Sequence, residues 1–346
     1  MVKNPTVFIC DDYNMVNHMA NITKDLEKRG VKVIRGPKTT PGTKLRYTEK
    51  DYELFKNADV MMFSSRSYCD RNVIDHAPKC KGIVTPSVGF ETVDLEYCNE
   101  KKIICANGAT KENTISVAEA TIMYMLMCLK KPWLSEALCE GKIKKPNSSQ
   151  SWCELVDKKT VGMIGFGRIA RYTAERLSSW GCTIKAYSPS VPADQFPEYV
   201  QKVDTLAEVL RDADVVGIFV AITPATVDII NRDTIEMMKD GVCLVNTSRG
   251  EAVDEEALYD ALKSGKISQA WLDVQKIEPM PISNPLRTLD NFHQTLHCAG
   301  WTKENYQSIV TAAVGNIMNI LRGEMPIYPK NPQIFDEWKE LHRDEF

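Results

Sequence analysis

Gly165, Gly167 and Ala170 stand in the run Thr160-Val-Gly-Met-Ile-Gly165-Phe-Gly167-Arg-Ile-Ala170, where a strand-like apolar stretch gives way to a helical pattern. A first glycine permits a tight turn, a second lets the backbone come close to a pyrophosphate, and a small third residue lets the helix pack closely on the strand. Arg168 and Ile169 then open a helix, whose first turn offers free N–H groups and the positive end of a dipole to an anion. The chemistry expected is dinucleotide binding. A tight turn without a ligand is the competing explanation of any glycine pattern. Here the strand before it and a helix over 168–180, closed by Gly181, favour the ligand. An acidic residue that grips the adenosine ribose belongs about twenty residues further on. The strand over 183–187 runs instead into Ser188-Pro189-Ser190, with neither Asp, Glu nor Arg. Lys185 leaves by the other face of that strand. Ser188 is therefore placed at the ribose, and use of both NAD and NADP is expected, with a slight lean to NADPH.

Such a loop needs a sheet to hold it. Short apolar runs at 6–10, 31–34, 60–63, 82–85 and 103–105 alternate with helical patterns, the first of which, 16–29, ends at Gly30. Strands separated by helices imply parallel βαβ units. The alternation breaks between 130 and 159, at Pro132, Gly141, Pro146 and the polar stretch 147–151, and restarts at 160–164, 183–187, 215–220, 243–246, 270–272 and 294–296. The fold expected is α/β, with two doubly wound parallel-sheet domains, the second from 130 to 300. Ile309, Ala312, Ala313, Ile317 and Ile320 have the spacing of one long amphipathic helix over 302–321. The charged tail, 334–346, is expected to pack as a short helix or to fray.

The 346 residues are too many for one ordinary core, and 43% hydrophobic with 26% charged is a globular composition. Forty-three Lys and Arg against 46 Asp and Glu leave a net charge of -3 and no concentrated basic face, so nucleic acid is not expected as a partner. The basic run 141–145 reads as a solvated loop. Eleven cysteines without a CxxC pair read as reduced thiols of a cytoplasmic protein. The N-terminal residues lack the apolar core of a signal peptide, and the apolar stretch 122–129 is too short to span a bilayer, so no membrane association is expected.

Three further segments carry reactive side chains in a fixed order. They are Val245-Asn-Thr-Ser-Arg249-Gly250 with Val253-Asp-Glu-Glu-Ala-Leu, then Leu272-Asp273-Val with Glu278-Pro279, then His297-Cys-Ala-Gly300. Together with the glycine loop they resemble the signature blocks of the D-isomer-specific 2-hydroxyacid dehydrogenases. The resemblance covers nearly the whole chain and includes Val88-Gly89, Ser116-Val-Ala-Glu119 and Leu321-Arg-Gly-Glu. It implies that Arg249 binds the substrate carboxylate and keto oxygen, that Glu278 orients and charges His297, and that His297 is the acid/base. The residue types suit that chemistry. Reducing a 2-keto acid to a D-2-hydroxy acid needs a hydride on the carbonyl carbon and a proton on its oxygen, which an imidazolium supplies near neutral pH. A neighbouring carboxylate favours the protonated imidazole. A guanidinium holds a carboxylate by two parallel hydrogen bonds, which an ammonium cannot. Singly, each residue is as well explained by a surface cation, a loop glutamate or a structural histidine; their order as a set decides. His293, four residues before His297, raises the thought of a metal pair, but nothing supplies further ligands and no metal is expected.

The resemblance extends to further positions. Val88 and Gly89 match a loop whose N–H groups meet the substrate carboxylate, although Ser87 and Glu91 are less usual there. Arg66, in Ser64-Ser-Arg-Ser, matches a position that faces substrate in several members, and Phe90 and Trp301 would help shape the side-chain pocket. Asn113 is similar to an asparagine that touches substrate in the formate dehydrogenase branch; that branch has Gln beside its histidine, and Glu278 argues against formate. Thr121, Thr223, Thr247 and Asp273 match positions near the nicotinamide or phosphates, where packing explains each equally well. The resemblance also implies a flavodoxin-like substrate-binding domain of 1–129 plus 301–346, split around an inserted Rossmann coenzyme domain of 130–300. Linking helices near 114–130 and 302–321, closure on ligand and a homodimer belong to the same expectation. The alternative within the family is a dinucleotide-sensing regulator, like its co-repressors, which can keep the same three residues.

Overall fold

The computed structural model describes residues 1–147 and 152–346, so the polar stretch expected at 147–151 lies, from Ser148 onward, outside the described residues. The chain divides into two units, Met1–Asn113 with Trp301–Phe346, and Thr114–Gly300. Helix Lys111–Lys130 falls almost wholly in the second unit, whereas the expected boundary followed it at 129–130. Its buried face accounts for the difference. Val117, Ile122, Tyr124, Met125, Cys128 and Leu129 share one core with Val161, Val215, Val245 and Trp271.

Among the described residues the first unit has strands β1 (Thr6–Asp11), β2 (Lys32–Lys38), β3 (Val60–Met62), β4 (Gly82–Val84) and β5 (Ile104–Ala106). They pair in parallel in the order β2-β1-β3-β4-β5, the flavodoxin-like doubly wound arrangement. The central strands are short apolar runs because both of their faces are covered. The edge strand β2 runs longer than its apolar signal, since a half-exposed edge tolerates Arg35 and Pro37. Helix Val16–Lys28 buries Met19, Ile22 and Leu26 on one face and gives way to Gly30 at φ 80°. Helix Lys303–Leu321, capped by the Thr302 side chain on the Asn305 N–H, lies so close to β4 that a Cβ on Gly82 would come within 2.8 Å of Ile320.

The second unit has β6 (Thr160–Ile164), β7 (Thr183–Tyr187), β8 (Val200–Val203), β9 (Val215–Ile218), β10 (Val242–Asn246), β11 (Ile267–Leu272) and β12 (Phe292–Gln294). Their order is β12-β11-β10-β9-β6-β7-β8, with parallel pairing. Counted from β6, this is the dinucleotide-binding order 3-2-1-4-5-6 with one strand added. Both units are therefore parallel-sheet α/β domains. β8 escaped the sequence reading because an edge strand with Gln201 and Lys202 carries little apolar signal. The strand expected at 294–296 instead ends at Gln294, for a reason that the site explains. Among the described residues, no helix is long and apolar enough to cross a membrane.

The tail does not fray. Helix Phe335–Leu341 buries Trp338 completely, and its Nε1 donates to the Lys81 carbonyl at 2.7 Å. The buried Lys81 ammonium meets Asp59 at 3.0 Å and Glu345 at 2.8 Å. Trp338→Ala is expected to destabilise the protein by about 3–5 kcal/mol in urea unfolding, through the cavity and the lost hydrogen bond. A loss below about 1 kcal/mol would mean that the tail does not complete this core.

Candidate active site

The glycine loop follows β6, a strand buried except at its first residue. Gly165 turns the chain at φ 92°, donates its N–H to the Tyr187 carbonyl at 2.8 Å, and lies where a Cβ would come 2.6 Å from the Phe219 carbonyl oxygen. β6 and β9 are the neighbours at which the strand order reverses, so this close approach joins the two sides of the switch point. Gly167 differs. A Cβ there would meet no atom of the described residues within 4 Å, so the glycine answers to nothing in the fold itself. It is the N-cap of helix Arg168–Leu177, which has no side-chain cap, and Ala170 and Ala174 bury that helix closely. An open glycine before uncapped N–H groups fits a bound pyrophosphate. Arg168 is exposed and Ile169 half-buried. The helix ends at Leu177, three residues short of the expected 180.

Ser188 directly follows β7 and is buried, while Pro189 and Ser190 are exposed. Lys185 is held elsewhere, in an ion pair with Asp212. Thr223, in the loop after β9, is exposed and its N–H donates to the Thr226 hydroxyl at 2.8 Å. Thr121 and Thr247 are brought together, their hydroxyls 2.8 Å apart and both buried.

At the same C-terminal edge of the sheet, Asn246 ends β10 and turns the chain. Its Oδ1 accepts the Ser248 N–H at 2.9 Å, and its Nδ2 donates to the Arg249 carbonyl at 2.8 Å. Gly250 then packs on the next loop so tightly that a Cβ would sit 2.0 Å from the Gln275 carbonyl carbon. Arg249 is half-buried, with Nη1 donating to the Ser248 carbonyl at 2.7 Å.

His297 and Glu278 are in contact: Nδ1 lies 3.0 Å from Oε2 and 3.2 Å from Oε1. The Gln275 N–H donates to the same carboxylate at 3.3 Å. Asp273, just past β11, holds the histidine loop. Its carbonyl accepts the His297 N–H at 2.7 Å, and its carboxylate accepts Thr295 Oγ1 at 2.6 Å and the N–H groups of Cys298 and Ala299 at 3.0 Å each. His297 itself sits at φ 52°. These contacts pull the chain off the sheet after Gln294, which is why the strand stops there and Leu296 is exposed. Tyr124 stacks on Trp271, lies with its hydroxyl 3.2 Å from Thr295 Oγ1, and donates to Asp273 Oδ1 at 3.4 Å; burial pushes its phenol pKa up. His293 faces Trp133 and Trp271 and bonds Gln269 at 3.0 Å, and burial pushes its pKa down to about 4. Among the described residues, no group of three His, Cys, Asp or Glu could hold a metal.

In the first unit, Val88 and Gly89 follow β4 in a loop held from within. Asn107 Nδ2 donates to the Val88 carbonyl at 2.7 Å, and Gly108 leaves room for Pro86, whose oxygen a Cβ would meet at 1.9 Å. Asn113, half-buried in the first turn of its helix, donates its N–H to Thr110 Oγ1 at 3.2 Å. Arg66 lies in the loop after β3, with Nη1 3.5 Å from the buried Asp12. Phe90 is buried and Trp301 exposed. Asp12, Tyr124, Gln275 and Thr295 escaped the sequence reading. Only Asp12 had a signal, as an acidic residue directly after an apolar strand.

Residues 122–299 match the model of the D-isomer specific 2-hydroxyacid dehydrogenase NAD-binding domain. The chain is 38% identical to D-3-phosphoglycerate dehydrogenase of Methanocaldococcus jannaschii over 80% of its own length, and spans only 52% of that protein. It is 34% identical to hydroxypyruvate reductase of Thermotoga maritima, covering 89% of this chain and 99% of that one. D-lactate dehydrogenase from Aquifex aeolicus, solved with NAD and lactic acid, superposes with a TM-score of 0.77 at 26% identity, over 92% of this chain and 96% of the other. Matching the family's coenzyme domain and, over nearly its full length, a complete relative, the chain belongs to the D-isomer-specific 2-hydroxyacid dehydrogenases.

Proposed function

We propose that this chain is an NAD(P)-dependent dehydrogenase that interconverts a 2-keto acid and a D-2-hydroxy acid. The observation that carries the reading is the His297–Glu278 pair, with Nδ1 3.0 Å from the carboxylate on a loop fixed by Asp273. Because Glu278 engages Nδ1, the Nε2 atom is the one that gives its proton to the keto oxygen in reduction and takes it back in oxidation. Glu278 holds the ring in one orientation through this contact. Arg249 clamps the substrate carboxylate through its guanidinium fork. Val88 and Gly89, through backbone N–H groups, and Asn113 and Arg66 are assigned to substrate binding on the same reading.

The nicotinamide, when bound, supplies or accepts the hydride at the carbonyl carbon. Gly165, Gly167, Arg168 and Ile169 would hold the pyrophosphate, Ser188 the adenosine ribose, and Thr223 the phosphates. Thr121, Thr247 and Asp273 would border the nicotinamide. Their mutual contacts give these three a packing role as well. A homodimer formed through the second unit belongs to the same reading.

Assay with glyoxylate, hydroxypyruvate, pyruvate, phenylpyruvate and 2-ketoisocaproate under both cofactors tests the reading directly. His297→Ala is expected to lower turnover by about 10²- to 10⁴-fold while cofactor affinity, read by fluorescence titration, is kept. Near-native turnover would remove the histidine from the mechanism. Arg249→Lys keeps the charge but loses the fork, so the keto-acid KM should rise with cofactor Kd unchanged. A Lys variant kinetically equal to the native protein would show that no guanidinium clamp exists. With Ser188 directly after β7 in place of a carboxylate, NADPH is expected to serve at least as well as NADH. Ser188→Asp should then turn the preference to NADH. Strong native preference for NADH, unmoved by that substitution, would place Ser188 away from the ribose.

A further inference from the structure

The sheet of the first unit reverses its strand order between β1 and β3. The loops that leave the C-terminal ends of strands at such a reversal are where open parallel sheets take ligands. Two of these loops carry opposite charges. Asp12, the residue after β1, is wholly buried. Its Oδ1 accepts the Asn14 N–H at 2.8 Å, and its Oδ2 has no hydrogen-bond partner among the described residues. Arg66, after β3, brings Nη1 to 3.5 Å from that Oδ2, and 15% of its side chain stays exposed. The guanidinium also lies 5.5 Å from the centre of the Tyr13 ring. The Arg66 N–H donates to Ser64 Oγ at 3.2 Å, and its carbonyl accepts the Leu45 N–H at 2.8 Å, so the loop beneath the guanidinium is fixed.

A charge buried away from water is weakly screened, so Asp12 acts on everything that approaches Arg66. An arginine paired in this way still donates hydrogen bonds, but its pull on a second anion is reduced by the opposite charge behind it. His18, in helix Val16–Lys28, does not cancel Asp12, because burial favours its neutral form.

Resting on the dehydrogenase reading above, we propose that Asp12 is a positioning residue that sets substrate specificity. By offsetting Arg66, it selects keto acids whose substituent on the keto carbon is uncharged, a hydrogen or a hydroxymethyl group. Those bearing a second anion, a carboxylate, sulfonate or phosphate, are disfavoured.

The test compares kcat/KM for hydroxypyruvate, oxaloacetate and 3-phosphohydroxypyruvate in the native chain and in Asp12→Asn. Hydroxypyruvate and oxaloacetate are close in size and differ in charge. The native chain is expected to favour hydroxypyruvate by about tenfold or more, and Asp12→Asn to raise the anionic-to-neutral ratio by about tenfold. A ratio taken within one preparation is indifferent to the fraction folded, so a purely structural role for Asp12 would leave it unmoved. Should the variant fail to fold, the native preference decides. A native chain that reduces either anionic keto acid as readily as hydroxypyruvate overturns the proposal, as does an unchanged ratio in the variant. Absence of turnover with every keto acid overturns the dehydrogenase reading and this one with it. Turnover of hydroxypyruvate with a flat ratio overturns this one alone.

Discussion

A carboxylate that is 1% exposed must have its charge met by donors, and Asp273 meets this condition with the hydroxyls of Thr295 and Tyr124 and two consecutive backbone N–H groups from the loop after β12. Hydrogen bonds to a charged acceptor contribute about 1.5–3 kcal/mol each, enough together to offset a desolvation cost of several kcal/mol. They also hold His297 in a left-handed backbone conformation that costs about 1–3 kcal/mol in an ordinary residue. The direction of the imidazole therefore depends on a charge that never touches it.

Around this anchor, backbones approach each other more closely than any Cβ allows. Gly250 brings the Arg249 turn against the Gln275–Lys276 peptide, and the same peptide stretch leads into Glu278. The cation of one strand end and the carboxylate of the next are thus fixed by main chain rather than by side-chain reach, which gives less freedom to drift. Gly165 does the same between β6 and β9. Gly167, only two residues on, has open space before it, so one dipeptide spacing contains a glycine required by packing and a glycine that packing leaves unexplained.

Much of this could be read in the chain. Continuous apolar runs such as Val60–Met62 mark strands covered on both faces, and the spacing of Ile309, Ala313 and Ile317 marks a helix laid on a sheet. His297, Glu278 and Arg249 stand out in the chain because their blocks have a recognisable order, and their proposed roles rest on that order together with the His297–Glu278 contact. Edge strands were read poorly, since Lys32–Lys38 and Val200–Val203 need no apolar face. The end of β12 was misplaced because Leu296 looks like a core residue, and only the long-range bonds of Asp273 lift it out. Asp12 and Thr295 were missed for a similar reason: their meaning lies in partners 54 and 22 positions away, respectively Arg66 and Asp273. No local pattern records such pairs.

The first unit is made of two pieces of chain separated by the whole of the second. Its sheet comes from residues before 107, but Ala313, Ile317, Ile320, Leu321 and Trp338 of its core come from the far end. During synthesis the second unit is complete while the first still lacks the helix that covers β4. Exposed apolar strands must then wait through roughly two hundred residues of translation, at about 5–20 residues per second, before their cover arrives. The interval is one in which a chaperone has something to hold, and it is set by the order of the segments rather than by the strength of any contact.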